Sequence, residues 1–244
     1  VRRWYREADA VIANAAALAD DVAWFVGLDR EWVSVIPNPI DVDEIRRLSR
    51  AAVTHPWLSD AADGKLPVVL AVGKLKQQKD FATLLRAFAE ARSRKPMRLL
   101  ILGEGEEQGS LLRLAEKLGV AADVAIPGFV GNPFAYMARA VMLVQTSRWE
   151  GFSNVVAEAL ACGCPVVATD CPGGTREILA DGRYGRLVAV GDVSAIAAAI
   201  LATLTESPPR EELRRRADSF GVEVAVERYL EVLAGCLESS NGTR

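Results

Sequence analysis

From Pro67 onward the chain alternates short, nearly uninterrupted apolar runs with longer segments whose apolar residues recur every three or four positions. The runs are Val68–Val72, Arg98–Leu102, Val124–Ile126, Val141–Val144 and Pro165–Ala168. Between or after them, Asp80–Arg94 carries Phe81, Leu84, Leu85 and Phe88 on one helical face, and Glu107–Leu118 ends at Gly119. Shorter helices are predicted near 133–139, 154–162 and 174–180. Continuous rather than alternating apolar runs describe strands covered on both faces. Strand–helix alternation of this kind predicts an α/β protein with a doubly wound, Rossmann-like parallel sheet. Ligands of such sheets bind at the carboxyl ends of the strands.

The flanks are less regular. Asp9–Ala13 reads as a strand, with Asn14 as cap of a helix over 15–27 that stops at Gly27. Trp32–Ile36 reads as a second strand, broken by Pro37-Asn-Pro39, and Ile40–Ile45 as the start of a helical turn. Residues 50–66 show no sustained period and read as loop. Past the sheet, Asp192–Thr205 and Arg210–Ala217 are predicted helices. In the second, Glu211–Arg215 and Glu212–Arg216 have i,i+4 spacing, which makes Arg214–Arg216 a solvated face rather than a nucleic-acid patch. A last helix over 222–237 carries Val222, Val226, Tyr229, Leu230 and Leu233 on one side, and Ser239–Arg244 is expected to fray.

Composition narrows this picture modestly. The 244 residues allow one good-sized domain, or one domain and part of another. Half are hydrophobic, a quarter are charged, and the net charge is −3, so any anion site is local rather than a basic field. The longest near-apolar helix pattern, Val193–Leu204, is too short to span a bilayer. The N-terminus has neither an initiator Met nor a signal-peptide layout, and the chain is expected to be cut from something longer. Cys162, Cys164, Cys171 and Cys236 form no C-x-x-C pair and His55 lies far from them, so reduced thiols and a cytoplasmic protein are expected, with no metal site.

Chemistry concentrates around Glu150-Gly-Phe-Ser-Asn-Val-Val-Ala-Glu158. Asn154 is a good N-cap, which puts the helix N-terminus on the Gly151–Asn154 loop, where free amides and the helix dipole favour an anion. Glu158 stands among Val155, Val156, Ala157, Ala159 and Leu160. Read alone it is most simply a solvent-facing glutamate; a sugar or ribose diol is the other partner that would satisfy it. Ser147-Arg-Trp-Glu150 has capping-box spacing, but Gly151 argues against a helix starting there. In Gly73-Lys-Leu-Lys-Gln-Gln-Lys-Asp80, Lys74 and Lys79 bracket the loop after a strand; they suit a diphosphate or are scattered surface lysines, and the residues alone do not separate the two. Leu102-Gly-Glu-Gly105 begins like a dinucleotide fingerprint but has Gln108 at the third glycine. In Pro172-Gly-Gly-Thr-Arg-Glu177, Glu177 reads equally as a first-turn carboxylate. Trp149 and Phe152 flank Glu150, as pocket wall or as core.

Together these segments resemble the retaining glycosyltransferases of the GT-B fold that carry the E-x7-E motif, the family 4 type. The resemblance runs from Asp9 to about Tyr229. It implies the C-terminal, nucleotide-sugar-binding half of a GT-B fold: residues 1–37 a remnant of the acceptor-side domain, 38–225 the donor domain, and 226–244 a helix returning toward the first domain, with its tail. Glu150 then lies against the donor sugar and Glu158 on the ribose. Lys74 and Lys79 lie on the diphosphate; Lys74 stands where the family usually has Arg, and Asp80 where Gly is frequent. The implied catalytic residues are Glu150, Lys74 and Lys79. The implied donor-binding residues are Gly73, Gly151, Phe152, Ser153, Asn154, Glu158, Val130 beside the nucleobase, Gly103 of the G-x-G loop, and Gly174.

The implied activity is metal-independent transfer of a sugar from a UDP- or GDP-linked donor to a carbohydrate or lipid-linked acceptor hydroxyl, with retention and no cofactor. This is the chemistry of polysaccharide and glycoconjugate biosynthesis. Contact with the inner face of the cell membrane stays open through the absent domain, and the 244 residues alone are expected to be incomplete as an enzyme. The rival readings are a GT-B sugar-nucleotide epimerase, a non-catalytic nucleotide-binding module and an NAD-dependent oxidoreductase.

Overall fold

The computed structural model describes residues 2–59 and 66–241. A short helix α1 (Arg2–Arg6) precedes strand β1 (Val11–Ala13), helix α2 (Ala16–Val26) and strand β2 (Val33–Val35). The two strands pair in parallel as a sheet of their own, with a small core of Val11, Ala13, Ala19, Ala23 and Val33. Helix α3 (Val42–Ser49) follows, capped by Asp41, whose carboxylate accepts from the Glu44 amide at 2.9 Å.

The main unit then alternates strictly: β3 (Val68–Val72), α4 (Phe81–Arg94), β4 (Arg98–Leu102), α5 (Gln108–Lys117), β5 (Val124–Gly128), α6 (Phe134–Arg139), β6 (Met142–Gln145), α7 (Asn154–Ala161), β7 (Val166–Thr169), α8 (Thr175–Ile178), β8 (Arg186–Val188), α9 (Val193–Thr203) and α10 (Arg210–Asp218). Its six strands are all parallel, in the order β5-β4-β3-β6-β7-β8. The chain starts in the middle and winds outward in both directions, so a crevice opens where β3 and β6 lie side by side.

The continuous apolar runs follow from this layering. In β3, Val68 and Leu70 face a core shared with α3, α6, α7, α8 and α10, whereas Val69 and Ala71 face one shared with α4, α5 and α9. A strand buried on both faces has no position left for a polar residue. Each fully buried Leu or Val contributes about 1.5–3 kcal/mol. The segment before α3 meets the segment after α10 where the Ile40 amide donates to the Phe220 carbonyl at 2.9 Å. The last helix, α11 (Val222–Asn241), then runs back beside the small sheet, its Glu231, Val232, Gly235 and Cys236 sharing a hollow with Asp9, Ala10, Asp29 and Trp32.

Several expectations change. Strand β8 is three half-buried residues headed by Arg186, too short and too polar for an apolar run to reveal it. Helix α11 continues through 239–241, where a frayed tail was expected; residues 242–244, and 60–65 of the predicted loop, lie outside the described residues. The i,i+4 pairs on α10 do not form. Glu211 pairs with Arg214, and Arg216 donates to the carbonyls of Glu177 at 2.7 Å and Ile178 at 3.0 Å while stacking on Phe220. Asn14 does not cap α2: its side chain donates to Asn38 Oδ1 at 3.1 Å, and Ala15 holds the cap position. The free amide of Ala16 instead donates to Glu177 Oε2 at 2.9 Å, so Glu177 serves the dipole of α2 rather than that of its own helix.

Candidate functional site

Buried polar side chains mark one end of the molecule. Asp80, Thr83, Gln145, Thr146, Ser147, Ser153, Thr169 and Thr175 all lie at or beyond the carboxyl ends of β3, β6 and β7; among the described residues only Thr203 is a buried polar residue elsewhere. Buried polar groups need partners, and here they tie the loops together. Thr146 Oγ1 donates to the carbonyls of Lys79 and Asp80 at 2.9 and 3.0 Å. Thr169 Oγ1 donates to the Ser147 carbonyl at 2.6 Å, and the Arg148 amide to the Gln78 carbonyl at 2.8 Å.

Over this platform opens a cleft of about 640 Å³, lined by Asn38, Val72, Gly73, Lys74, Lys76, Gln78, Lys79, Glu150, Phe152, Ser153, Asn154, Val155 and Glu158. Gly73 lies under the aliphatic stem of Lys79: a β-carbon there would sit 3.3 Å from Lys79 Cε. Lys79 Nζ donates to Glu150 Oε1 at 2.6 Å, and both side chains are largely buried. The ammonium groups of Lys74 and Lys76 have no acidic partner among the described residues. Lys76, Gln78 and Asn38 were not singled out in the sequence. Lys76 is one lysine among several in its loop, and Asn38 sits in a proline-flanked turn that says nothing of where its side chain goes.

Helix α7 starts at Asn154 as predicted, but its cap lies one residue earlier than the sequence suggests. Ser153 occupies the cap position and Asn154 the first turn, where its side chain accepts from Asn38 Nδ2 at 3.1 Å. The reason is that Gln145 holds the Ser153 hydroxyl, so neither side chain caps the helix. The backbone amides of Ser153 and Val155 have no acceptor among the described residues, which leaves the positive end of α7 open toward the cleft. One turn on, Glu158 reaches the same cleft with no hydrogen-bond or ion-pair partner among the described residues. Burial raises its pKa above the ordinary carboxylate value.

Ser147 and Glu150 do interact, although no helix starts between them: Ser147 Oγ donates to Glu150 Oε1 at 2.6 Å. Asp80 is in the left-handed region, φ 48°, which explains why Gly suits this position. It accepts from the Thr83 amide at 3.3 Å and pairs with Arg148 at 3.1 Å.

Four of the expected donor-binding residues do not line the cleft. Gly103 and Gly174 are backbone-packing positions. A β-carbon at Gly103 would lie 1.9 Å from the Gly73 carbonyl oxygen, and one at Gly174 3.1 Å from Ala15 Cβ. Gly105 likewise admits the backbone of Leu75, so both glycines of the G-x-G segment serve loop-to-loop packing. Gly151 packs near Asn14 and Leu18, and Val130 beside the core under α6. Trp149 is half exposed and outside the cleft, whereas Phe152 lines it and packs edge-on against Phe220 at 5.4 Å. His55 lies against Trp57 and away from the cleft. Among the described residues no group of His, Cys, Asp and Glu could hold a metal ion, and no helix is long and apolar enough to cross a membrane.

Comparison with known proteins places this geometry. The family profile described as "Glycosyl transferases group 1" matches residues 59–220, and that described as "Glycosyltransferase Family 4" matches residues 1–44. The chain is 32% identical over 213 residues to the Campylobacter jejuni N-acetylgalactosamine-N,N'-diacetylbacillosaminyl-diphospho-undecaprenol 4-alpha-N-acetylgalactosaminyltransferase, covering 87% of this chain and 55% of that protein. It superposes on a glycosyltransferase from Rickettsia africae with a TM-score of 0.81 at 15% identity, over 97% of this chain and 66% of the other. It also superposes on Anabaena Alr3699/HepE in complex with UDP and glucose, with a TM-score of 0.77 at 25% identity, over 93% and 63%. The chain thus spans between about half and two thirds of the length of these proteins. The parallel sheet, the cleft at its topological switch point and the match over residues 59–220 agree: the chain belongs to the group 1 glycosyl transferases, with the α/β architecture of one half of a GT-B fold.

Proposed function

We propose that this cleft binds a nucleoside-diphosphate sugar, UDP-linked in the first instance, and that the whole protein transfers the sugar to an acceptor hydroxyl with retention of configuration. The observation that carries the reading is the convergence of opposite needs in one hollow. Glu158 is a half-buried carboxylate lacking donors, while Lys74, Lys76 and the open α7 amides lack an anion. A nucleoside diphosphate supplies both, its ribose diol to Glu158 and its phosphates to the amides and ammonium groups. The Anabaena protein of similar fold is described with UDP and glucose, which favours uridine over guanosine.

In this reading the acceptor oxygen attacks the anomeric carbon from the face the diphosphate is leaving. The bond from that carbon to the phosphate oxygen breaks, and the acceptor proton passes to the departing phosphate oxygen. Lys74, Lys79 and the α7 amides stabilise the negative charge that builds on the leaving group without a metal ion, and Glu150 orients the sugar. Residues 38–225 form the donor unit, 1–37 belong to the acceptor side, and α11 runs back toward it. The acceptor is a carbohydrate or lipid-linked glycan, the class named in the Campylobacter relative.

Calorimetric titration of UDP, GDP, ADP and NAD tests the reading. Binding of UDP ahead of the others is expected; binding of NAD with no nucleoside diphosphate would replace it with an oxidoreductase.

A further inference from the structure

Glu150 is held by one oxygen only. Its Oε1 accepts from Lys79 Nζ at 2.6 Å, Ser147 Oγ at 2.6 Å and Gln145 Nε2 at 3.3 Å, whereas Oε2 has no donor among the described residues. Gln145 ends β6 and is almost fully buried, in a strand whose other residues are Met142, Leu143 and Val144. A glutamine there is costly unless each of its polar atoms is used. All are used: Nε2 donates to Glu150 and to Ser153 Oγ, and Oε1 accepts from Thr175 Oγ1 at 3.4 Å. The orientation of the amide follows from chemistry, since an ionised carboxylate only accepts and the NH₂ must face it. Ser153 Oγ therefore accepts from Gln145, and its own hydrogen is left to point elsewhere. Ser153 lines the cleft.

We propose that Gln145 is a positioning residue that sets the polarity of the donor site: it leaves Glu150 Oε2 as the free acceptor for a sugar hydroxyl and turns the Ser153 hydroxyl into a donor for a phosphate or sugar oxygen. The inference rests on the nucleotide-sugar reading above and extends it to a residue that does not line the cleft. One buried amide gives an acceptor and a donor fixed relative to one another, and it ties both to the 171–174 loop through Thr175. Preorganisation of this kind lets a ligand bind without first reorienting the groups that receive it.

The test is a coupling measurement on the full chain. UDP, UDP-glucose, UDP-galactose, UDP-N-acetylglucosamine and UDP-N-acetylgalactosamine are titrated, and the tightest UDP-sugar is carried forward. Gln145→Met is expected to weaken it about tenfold, the scale of one hydrogen bond to a charged group, but about threefold or less when Glu150→Gln is already present. Gln145→Glu keeps the shape, so it carries the test if the Met variant fails to fold. At higher pH its carboxylate faces that of Glu150 and binding falls; as the pH is lowered the pair shares a proton, a protonated carboxyl donates as the amide did, and binding returns. The wild type should show no such recovery. Equal losses with and without Glu150→Gln, together with a pH-independent defect in Gln145→Glu, would make Gln145 merely structural and overturn the inference while UDP binding stands. Failure of the wild-type chain to bind UDP or any UDP-sugar would instead remove the nucleotide-sugar reading, and the inference with it.

Discussion

Lys79 and Glu150, 71 positions apart, meet at 2.6 Å at the wall of the cleft, with side-chain exposures of 17% and 9%. At that depth an ion pair is held by geometry rather than screened away, and removing one member leaves the other charged and short of a partner. Glu150 keeps Ser147 and Gln145, so Lys79→Met is expected to cost about 1–3 kcal/mol rather than the full penalty of an orphaned charge. Adding Glu150→Gln should return part of that loss. Urea denaturation of the single and double variants measures it; a double variant less stable than the sum of its singles would contradict the pairing.

Glu158 sets function against stability. Its pKa is raised by burial, so the folded state holds the proton more tightly than the unfolded chain does. Stability from this group is therefore fully present below the unfolded value near 4.5 and is lost as pH rises through the folded value. Glu158→Gln is expected to stabilise the ligand-free protein at pH 7, with no gain at pH 3.5, and to weaken UDP binding by about 1–3 kcal/mol. Melting curves at the two pH values, with calorimetry at pH 7, check both halves. Equal effects at both pH values would show that the carboxylate is not the cause.

Asp80 separates two backbone effects. Asp80→Ala loses the cap on α4, at about 1 kcal/mol, and keeps the β-carbon that the wild type already holds in the left-handed region. Asp80→Gly loses the cap but relieves the conformation, and is expected to be the milder change. The order of their denaturation midpoints decides it, and a milder Ala would be the wrong order.

Gly173 has a φ of 125°, and a β-carbon there would lie 2.0 Å from the Glu150 carbonyl oxygen. Because that contact is with backbone, no side-chain rotation relieves it. Gly173→Ala should cost roughly 2–4 kcal/mol and displace the Glu150 loop. A thermal melt within a degree or two of wild type would refute the close approach.

The main sheet was legible because burial on both faces leaves a plain trace: β3 to β7 are the apolar runs, and Pro and Gly punctuate them. Strand β8 left no such trace, since its half-buried residues begin with Arg186. The cleft was partly legible, because Gly73, Lys79 and Glu158 belong to short segments next to strand ends or a helix start. The contacts that arrange it were not. Glu177 reaches Ala16 across 161 positions, and Asn14, Asn38 and Asn154 form a chain of amide hydrogen bonds spanning three segments. No local spacing encodes such meetings. Gln145 had one faint signal, a large polar residue at the end of an apolar strand.

In the proposed function a nucleoside diphosphate sits between the lysine loop and the start of α7. Backbone amide chemical shifts recorded as UDP is added test it most directly. The largest changes are expected on Gly73, Lys74, Ser153 and Val155, and residues around Pro208 and Pro209, beside the amino end of β7, are expected to stay still. Shifts concentrated away from these amides, with UDP bound, would contradict it.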